Sequence, residues 1–443
     1  MSDATSTRGW HGRVLALALP IIAANLTQPL LSIVDTAISG HLSAPASLGG
    51  VALGGLFFNT VYWAFGFLRM ATTGLVAQAH GAKNGAALRA TLARALILAV
   101  AIGAVLVAVK GPLLAGALAV LGGSPDVTEA AHSYCAVRLW AAPMALANYV
   151  VLGTLLGRQR ASTALLIQAS INLINMIAAA VFVYGLGWGV AGLGGATALA
   201  DTLGFLFGAI ILWRIRPRGL PRLDLATLVE RGAVARLILV NRDIFLRTLC
   251  LLVCFAWFAH EGALQGDTIL AANAVLLNLQ TFMAFVLDGF AQAAEALVGE
   301  AIGARARVDY EHAIRISTLW AGICATVFAA IYALIGPAII SALTDHASVR
   351  DAALTYLPWA AASPIVSVWS FQLDGIYIGA TRTRDLRNTM GFAMACFLAA
   401  ALALQSVFGN HGLWAALMVL MIARGASLGA LLPRMGRAVF ATV

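Results

Sequence analysis

A segment near the N-terminus has the sequence Pro20-Ile-Ile-Ala-Ala-Asn25-Leu-Thr-Gln-Pro29-Leu-Leu-Ser-Ile-Val-Asp35-Thr-Ala-Ile-Ser-Gly40. It is apolar enough to span a bilayer, yet it contains two prolines and one carboxylate. Placing an aspartate at the centre of a membrane helix costs roughly 2.5–3.5 kcal/mol, so Asp35 is a functional candidate. Pro20 and Pro29 each remove a backbone donor and favour a kink or a movable joint. An acid on a bendable helix suits a gate operated by protons or other cations.

The composition of the whole chain agrees with this first stretch. The 443 residues are 61% hydrophobic and only 11% charged, with a mean hydropathy of +0.89. Soluble domains carry about 25% charged residues, so the chain is predicted to be an all-α membrane protein whose apolar runs are helices rather than barrel strands. The net charge of +9 comes from short loops, so it indicates membrane orientation and no nucleic-acid partner.

Twelve apolar segments of helical length follow one another, at about 14–39, 48–79, 88–120, 127–156, 161–184, 190–214, 235–260, 268–302, 311–343, 349–379, 386–408 and 411–433. Arginine and lysine cluster in alternate loops and in both tails, whereas the remaining loops are nearly bare of them. The positive-inside rule therefore predicts a multi-pass protein of the cell inner (plasma) membrane with both termini cytoplasmic.

The two halves of the chain repeat each other. A shift of about 222 residues places Gly153 and Gly157 on Gly375 and Gly379. Six helices per copy keep the copies parallel, which predicts two six-helix bundles related by a pseudo-two-fold axis, with a central cleft for alternating access. The predicted divisions are a cytoplasmic N-terminal tail at 1–13, an N-lobe at 14–214, a cytoplasmic linker at 215–234, a C-lobe at 235–433 and a cytoplasmic C-terminal tail at 434–443.

Polar residues recur at helical spacing inside the N-lobe. Asn172 and Asn175 are three residues apart on helix 5, and Thr197 and Asp201 are four apart on helix 6, so each pair shares one face. Burial disfavours the charged form of a carboxylate, so Asp35 among these groups is expected to exchange protons near neutral pH. The alternative is a structural network that packs helices together, with Asp201 pairing with an arginine.

The C-lobe contains acids of its own. Asp288 and Glu295 are seven residues apart on helix 8, and Asp374 lies on helix 10. They form a second cation or proton site, or they neutralise Arg69 on helix 2 and Arg247 on helix 7; the sequence leaves both interpretations open.

Further charged residues inside the predicted helices affect which substrates a central cavity could bind. Asp243 and Arg247 are four residues apart, a spacing that predicts an ion pair. Arg69, Arg138 and Arg424 also fall inside predicted helices and argue against a purely cation-binding cavity.

Motifs of enzymes are missing from the sequence. It contains no phosphate-loop Gly-Lys-Ser/Thr, no His-Glu-x-x-His and no Gly-x-Ser-x-Gly. We therefore expect no enzyme activity, no cofactor, and transport driven by an ion gradient.

Several motifs together resemble those of the multidrug and toxic compound extrusion (MATE) family, and some resemble its DinF branch. They are the helix-1 pattern Pro20, Asn25, Pro29, Asp35 and Gly40, the segment Phe182-Val183-Tyr184-Gly185 after Asn175, and the segments Leu287-Asp288-Gly289-Phe290-Ala291 and Leu373-Asp374-Gly375. The resemblance implies a twelve-helix, V-shaped antiporter that expels amphiphilic compounds in exchange for protons, or for sodium in other branches.

The resemblance also implies roles for single residues. Asp35 would be the protonatable residue of the N-lobe, Pro20 the point where helix 1 bends on protonation, and Asn175 and Thr197 the rest of the polar cluster. Related proteins often have an acid four residues after the helix-5 asparagine, where this chain has Ala179. A sodium site that needs two carboxylates there is thus disfavoured.

The leading hypothesis is a proton-coupled exporter of lipophilic, often cationic, compounds that functions as a monomer, with small amphiphilic substrates and membrane lipids as its partners. One alternative is a flippase for a lipid-linked or anionic amphiphilic substrate, which Arg69 and Arg247 would support if both were unpaired. The other alternative is a sodium-coupled antiporter.

Overall fold

The computed structural model describes residues 7–40, 45–216 and 224–441, and these form helices without any strand. The first half of the chain contains α1 (Thr7–Gly40), α2 (Pro45–Ala64), α3 (Phe67–Gly81), α4 (Gly85–Ala108), α5 (Lys110–Leu121), α6 (Pro125–Arg138), α7 (Ala142–Gly157), α8 (Ala161–Ala180) and α9 (Gly189–Arg214). A 3₁₀ turn, Leu139–Ala141, joins α6 to α7, and a π-helical turn, Val181–Gly185, follows α8.

The second half contains a short helix and then six long ones. They are α10 (Leu225–Leu228), α11 (Arg231–Leu264), α12 (Asp267–Gly303), α13 (Arg307–Leu343), α14 (Ala347–Gly379), α15 (Thr383–Phe408) and α16 (Asn410–Phe440). Nine helical segments of the described residues have the length and hydropathy of a membrane span. Each of the twelve predicted segments is helical in the structure, as one helix or as two consecutive ones, so the predicted all-α membrane fold is confirmed.

Three predicted segments of the first half are each broken into two helices. Phe65 and Gly66 separate α2 from α3, and Val109 separates α4 from α5. The 3₁₀ turn before α7 precedes Pro143, which lies in the first turn of α7, where a missing backbone N–H costs no helical hydrogen bond. Interruptions of one to three residues thus break a helix without lowering the mean hydropathy of the segment.

The chain forms two compact units. The N-terminal unit consists of residues 23–238, and the C-terminal unit consists of residues 1–22 together with 239–443. Both boundaries lie inside helices, one in α1 after Ile22 and one in α11 after Ile238. Residues 217–223 of the predicted linker lie outside the described residues.

The internal repeat is visible in the packing of two glycine pairs. A Cβ added to Gly153 or Gly157 on α7 would meet the backbone of α3 at Arg69 or Thr73. A Cβ added to Gly375 or Gly379 on α14 would meet the backbone of α12 at Ala291 or Glu295. Only glycine permits so close an approach of two helices. Both units therefore contain the same close helix crossing at equivalent positions.

The loops repeat in the same way. Four non-glycine residues have a left-handed backbone among the described residues, with φ between 52° and 57°: Lys83, Gln159, Arg305 and Thr381. The first and third, and the second and fourth, occupy equivalent positions of the two halves. A left-handed backbone is uncommon outside glycine, so its recurrence shows that the two copies also share their turns.

The first residues of α1 are fixed within the C-terminal unit. The Trp10 ring stacks on His312 with 5.8 Å between ring centroids, and Trp320 Nε1 donates to His11 Nδ1 at 3.1 Å. Arg13 forms an ion pair with Glu300. The first residues of α11 are held in the N-terminal unit in an equivalent way, since the Arg236 side chain donates to Gln78 at 2.8 Å.

Candidate functional site

Asn175 and Thr197 form a buried hydrogen bond between α8 and α9. The Asn175 Nδ2 donates to the Thr197 Oγ1 at 2.9 Å, and the two residues are 1% and 6% exposed. The Oδ1 of Asn175 has no hydrogen-bond partner among the described residues, which is unusual for a buried polar atom. The two residues that the sequence placed in one cluster are thus brought together, with an acceptor available to a ligand or a water.

Asn172, one turn earlier on α8, connects this region to α1. Its Nδ2 donates to Thr27 Oγ1 at 2.7 Å, and its Oδ1 accepts from Gln168 Nε2 at 3.2 Å. Sequence reasoning did not select Thr27 as a site residue, because the contact joins helices that are distant in sequence. The pair positions the half of α1 that carries Asp35.

Asp35 lies half-buried on α1, and Asp201 lies half-buried on α9. In the described part of the chain, no hydrogen bond joins Asp35 to Asn175 or Thr197. Both carboxylates instead experience the charge of Arg138, and the backbone carbonyl of Asp201 accepts from Asn148 at 2.9 Å. Asp35 and Asp201 are therefore the acids of this region whose charge a proton or a cation can neutralise.

Arg138, at the end of α6, is the cation of this cluster. Its Nη1 donates to the Tyr134 hydroxyl at 2.6 Å, and its guanidinium carbon lies 4.2 Å from the ring centroid of Phe58 and 5.7 Å from that of Tyr62. Aromatic faces stabilise a cation at such distances. The sequence marked Arg138 only as an arginine inside a helix, although its spacing of four residues from Tyr134 could have indicated the contact.

Helix α1 runs continuously through both prolines. Pro20 lies two residues before the boundary between the two units, and Pro29 lies inside the N-terminal unit. Pro20 lacks the N–H that would pair with the carbonyl of Ala16. The helix consequently lacks one backbone hydrogen bond close to the point where it passes from one unit to the other.

In the C-terminal unit, Asp374 is shared by two arginines. Its Oδ2 pairs with Arg247 on α11, and with the Nη2 of Arg424 on α16 at 2.6 Å. All three side chains are at least nine-tenths buried. One carboxylate therefore neutralises guanidinium groups from two other helices, which favours the structural interpretation of Asp374 over a cation site.

The other two acids lie on α12. Asp288 interacts electrostatically with Arg247 and Arg424, so these two arginines face two acids. Glu295, two turns further along, is 2% exposed where α12 crosses α14. Charge neutralisation accounts for the position of Asp288, and the role of Glu295 stays a prediction.

The predicted ion pair between Asp243 and Arg247 is wrong. Asp243 pairs with Arg242 at 3.0 Å and with Arg387 at 2.8 Å, whereas Arg247 pairs with Asp374. A spacing of four residues makes a contact possible, but a buried partner on another helix decides the pairing, because an uncompensated buried charge is strongly destabilising.

Arg69 is the other basic residue that the sequence selected. It is partly buried in the first turn of α3, and its Nη1 is buried without a hydrogen-bond partner among the described residues. Of the two arginines proposed for an anionic substrate, Arg247 is paired with Asp374, although its Nε has no partner among the described residues, and Arg69 has an unpartnered Nη1.

A family model, MatE, matches this chain twice, over residues 20–181 and 244–404. The chain belongs to the MatE family. The second match starts at residue 244 where the first starts at residue 20, which agrees with the offset of about 222 residues found in the sequence. The predicted family membership is confirmed, and a member of this family is a transporter rather than an enzyme.

Known proteins support the same assignment. The chain is 42% identical to the DNA damage-inducible protein F of Escherichia coli, over 95% of this chain and 91% of that protein. It is 24% identical to a probable multidrug resistance protein NorM of Acinetobacter baylyi, over 91% of each chain. The relation to the DinF branch is thus confirmed, and the MatE protein described here is a multi-pass membrane protein of an efflux transporter family.

A solved structure shows the same fold. It is described as the outward-facing conformation of a multidrug resistance MATE family transporter of the MOP superfamily, and it matches with a TM-score of 0.87 at 19% identity. The match covers 100% of this chain and 99% of that one.

Proposed function

We propose that this MatE protein exports lipophilic, often cationic, compounds in exchange for protons, and that Asp35 binds the proton. The observation that carries the proposal is the position of Asp35, a half-buried acid on the helix that contains Pro20 and that is joined to α8 by the hydrogen bond between Asn172 and Thr27. Asp35 and Asp201 are half-buried acids of the N-terminal unit, and a proton neutralises such a carboxylate inside the membrane. Asp35 is the better candidate because it lies on the helix that contains Pro20.

The proposed movement follows from the course of α1. Protonation of Asp35 changes the interactions of the outer part of the helix, and the helix bends near Pro20, where it lacks a backbone hydrogen bond. The residues before Pro20 are anchored by Trp10 and Arg13, so the bend displaces the part that carries Asp35. We place the protein in the inner membrane with both termini cytoplasmic, since basic residues cluster at that end of the helices.

Transport into liposomes tests the coupling ion. The purified protein is reconstituted, a pH gradient is imposed without sodium, and the flux of a fluorescent lipophilic cation is followed for the wild type, Asp35→Asn and Asp126→Asn. Asp126 is an exposed acid in the first turn of α6. Its variant shows the effect of replacing an aspartate by asparagine outside the proposed site. We expect Asp35→Asn to lose transport and Asp126→Asn to keep it.

Two results would contradict the proposal. If the wild type transports only with sodium, the coupling ion is sodium and the acids Asp288, Glu295 and Asp374 become the candidates for its site. If a folded Asp35→Asn variant transports like the wild type, Asp35 has a structural role.

The second candidate is a flippase for an anionic amphiphile, and the free Nη1 donor of Arg69 favours it. The pairing of Arg247 with Asp374 weakens it, because an anionic headgroup is best held by several unpaired cations. The same liposomes distinguish the two functions if a fluorescent anionic lipid replaces the lipophilic cation.

A further inference from the structure

A long groove lies in the C-terminal unit where α13 and α16 both pack against α14. Its volume is about 1380 Å³. Apolar side chains line most of it, and many of them are exposed, such as Leu319, Ile323, Trp369 and Ile422 at 43–55%. Because these helices span the membrane, the apolar side chains exposed in this groove are accessible to the acyl chains of lipids.

The groove has the length of one lipid chain. Along α13 it extends from Arg315 to Val327, and twelve residues of α-helix measure about 18 Å. Half of a bilayer core about 30 Å thick is about 15 Å. The groove thus matches one leaflet of the membrane and not the full bilayer.

One end of the groove is basic. Arg315, Ile376 and Leu432 mark this end on the three helices, and the nearest loops and helix ends carry arginines at 305, 307, 382, 384, 434 and 437. The excess of positive charge predicts that this is the cytoplasmic side. The groove therefore faces the cytoplasmic leaflet, with its basic end at the depth of the headgroups.

Arg315 and Gln372 are the polar groups at the headgroup end. Arg315 is exposed, and its guanidinium forms no hydrogen bond or ion pair with the described residues. Gln372 donates to Ser317 Oγ at 2.5 Å, while its buried Oε1 has no partner among the described residues. The anionic phosphate of a lipid headgroup complements the guanidinium of Arg315.

We propose that the groove between α13, α14 and α16 binds an anionic glycerophospholipid of the cytoplasmic leaflet. Its phosphate binds Arg315, its headgroup lies at the cytoplasmic surface, and one acyl chain fills the apolar groove as far as Val327. Basic pockets between transmembrane helices on the cytoplasmic side are a recognised type of lipid site. This site is independent of the proposed proton coupling, because none of its residues belongs to the Asp35 cluster.

Native mass spectrometry of the full-length protein in detergent tests the site with dioleoyl phosphatidylglycerol as the probe. Arg315→Gln removes the charge at the headgroup end, and Arg384→Gln is the matched control, an exposed arginine at the same end of the unit but outside the groove. We expect Arg315→Gln to weaken retention of the lipid by about fivefold and Arg384→Gln to retain it like the wild type.

A second pair of variants tests the chain-binding part. A Cβ at Gly322 in the groove, or at Gly391 on α15, would meet no atom within 4 Å, so a side chain can leave the backbone at either position without a clash at its Cβ. Gly322→Trp should prevent lipid retention, and Gly391→Trp should not. The proposal is overturned if Arg315→Gln and Gly322→Trp retain phosphatidylglycerol as the wild type does, or if Gly391→Trp loses it equally.

Discussion

At the scale of single residues, the two halves of the MatE protein share their packing but not their polar chemistry. The glycines that allow close helix crossing occur at equivalent positions in both units. The polar residues do not: at the same offset Asp35 corresponds to Trp257, and Asn175 to Phe397. The residues that repeat in both halves therefore maintain the helix packing. The polar residues that occur in only one half make the N-terminal unit chemically different from the C-terminal unit.

Asp374 allows a prediction that separates structural from ion-binding roles. Asp374→Asn leaves Arg247 and Arg424 buried with one anion fewer, so we expect it to destabilise the protein by about 3–5 kcal/mol. The double variant Asp374→Asn, Arg247→Gln should recover part of that loss. Thermal unfolding in detergent measures both.

An ion-binding role for Asp374 would give the opposite pattern. The single variant would then fold with nearly wild-type stability and lose only transport, and the second substitution would restore nothing.

Residue spacing predicted part of the site. The hydrogen bond between Asn175 and Thr197 joins two residues that were both selected because they repeat at helical intervals. The contact of Arg138 with Phe58 and the pairing of Asp374 with Arg424 were not predicted, because they join different helices. Helical periodicity indicates which residues share a face, but not which helix that face contacts.

At the scale of elements, α1 provides the next prediction. A proline in the interior of a helix destabilises the helix by roughly 3 kcal/mol. Pro20→Ala supplies the missing backbone donor and therefore favours a straight helix. If about 1.4 kcal/mol of that difference opposes bending, transport falls about tenfold. The rate of efflux from proteoliposomes measures it.

Pro29→Ala is the matched control for this prediction. It makes the same chemical change on the same helix, but nine residues further on and inside one unit. We expect it to slow transport less. Equal effects of the two substitutions would show that the position of the bend is not specific to Pro20.

The helices themselves were predicted more completely than the site. All twelve segments appear within a few residues of their expected bounds, apart from extensions such as α16, which continues beyond the predicted end at residue 433 to Phe440. The interruptions at Gly66 and Val109 were not predicted, because hydropathy averages over some twenty residues while a break requires only one.

At the scale of the whole molecule, the unit boundaries predict how the chain can be divided. If residues 1–219 and 220–443 are produced as separate chains, we expect them to assemble when co-expressed, because the cut falls in the linker between the helices. The first fragment alone should aggregate, since the buried face of α1 with Trp10, Val14 and Leu17 packs within the other unit. Co-purification through a tag on one fragment measures assembly, and a soluble, monodisperse first fragment would contradict the prediction.

The division of α1 and α11 between the units has a further consequence for the origin of the fold. Residues 7–22 begin the first repeat but belong to the C-terminal unit, and residues 231–238 begin the second repeat but belong to the N-terminal unit. Two identical six-helix chains that exchanged their first segments in this way would form a domain-swapped dimer. Duplication and fusion of such a subunit would retain the exchange within one polypeptide, and an ancestral half-length protein would thus be an obligate dimer.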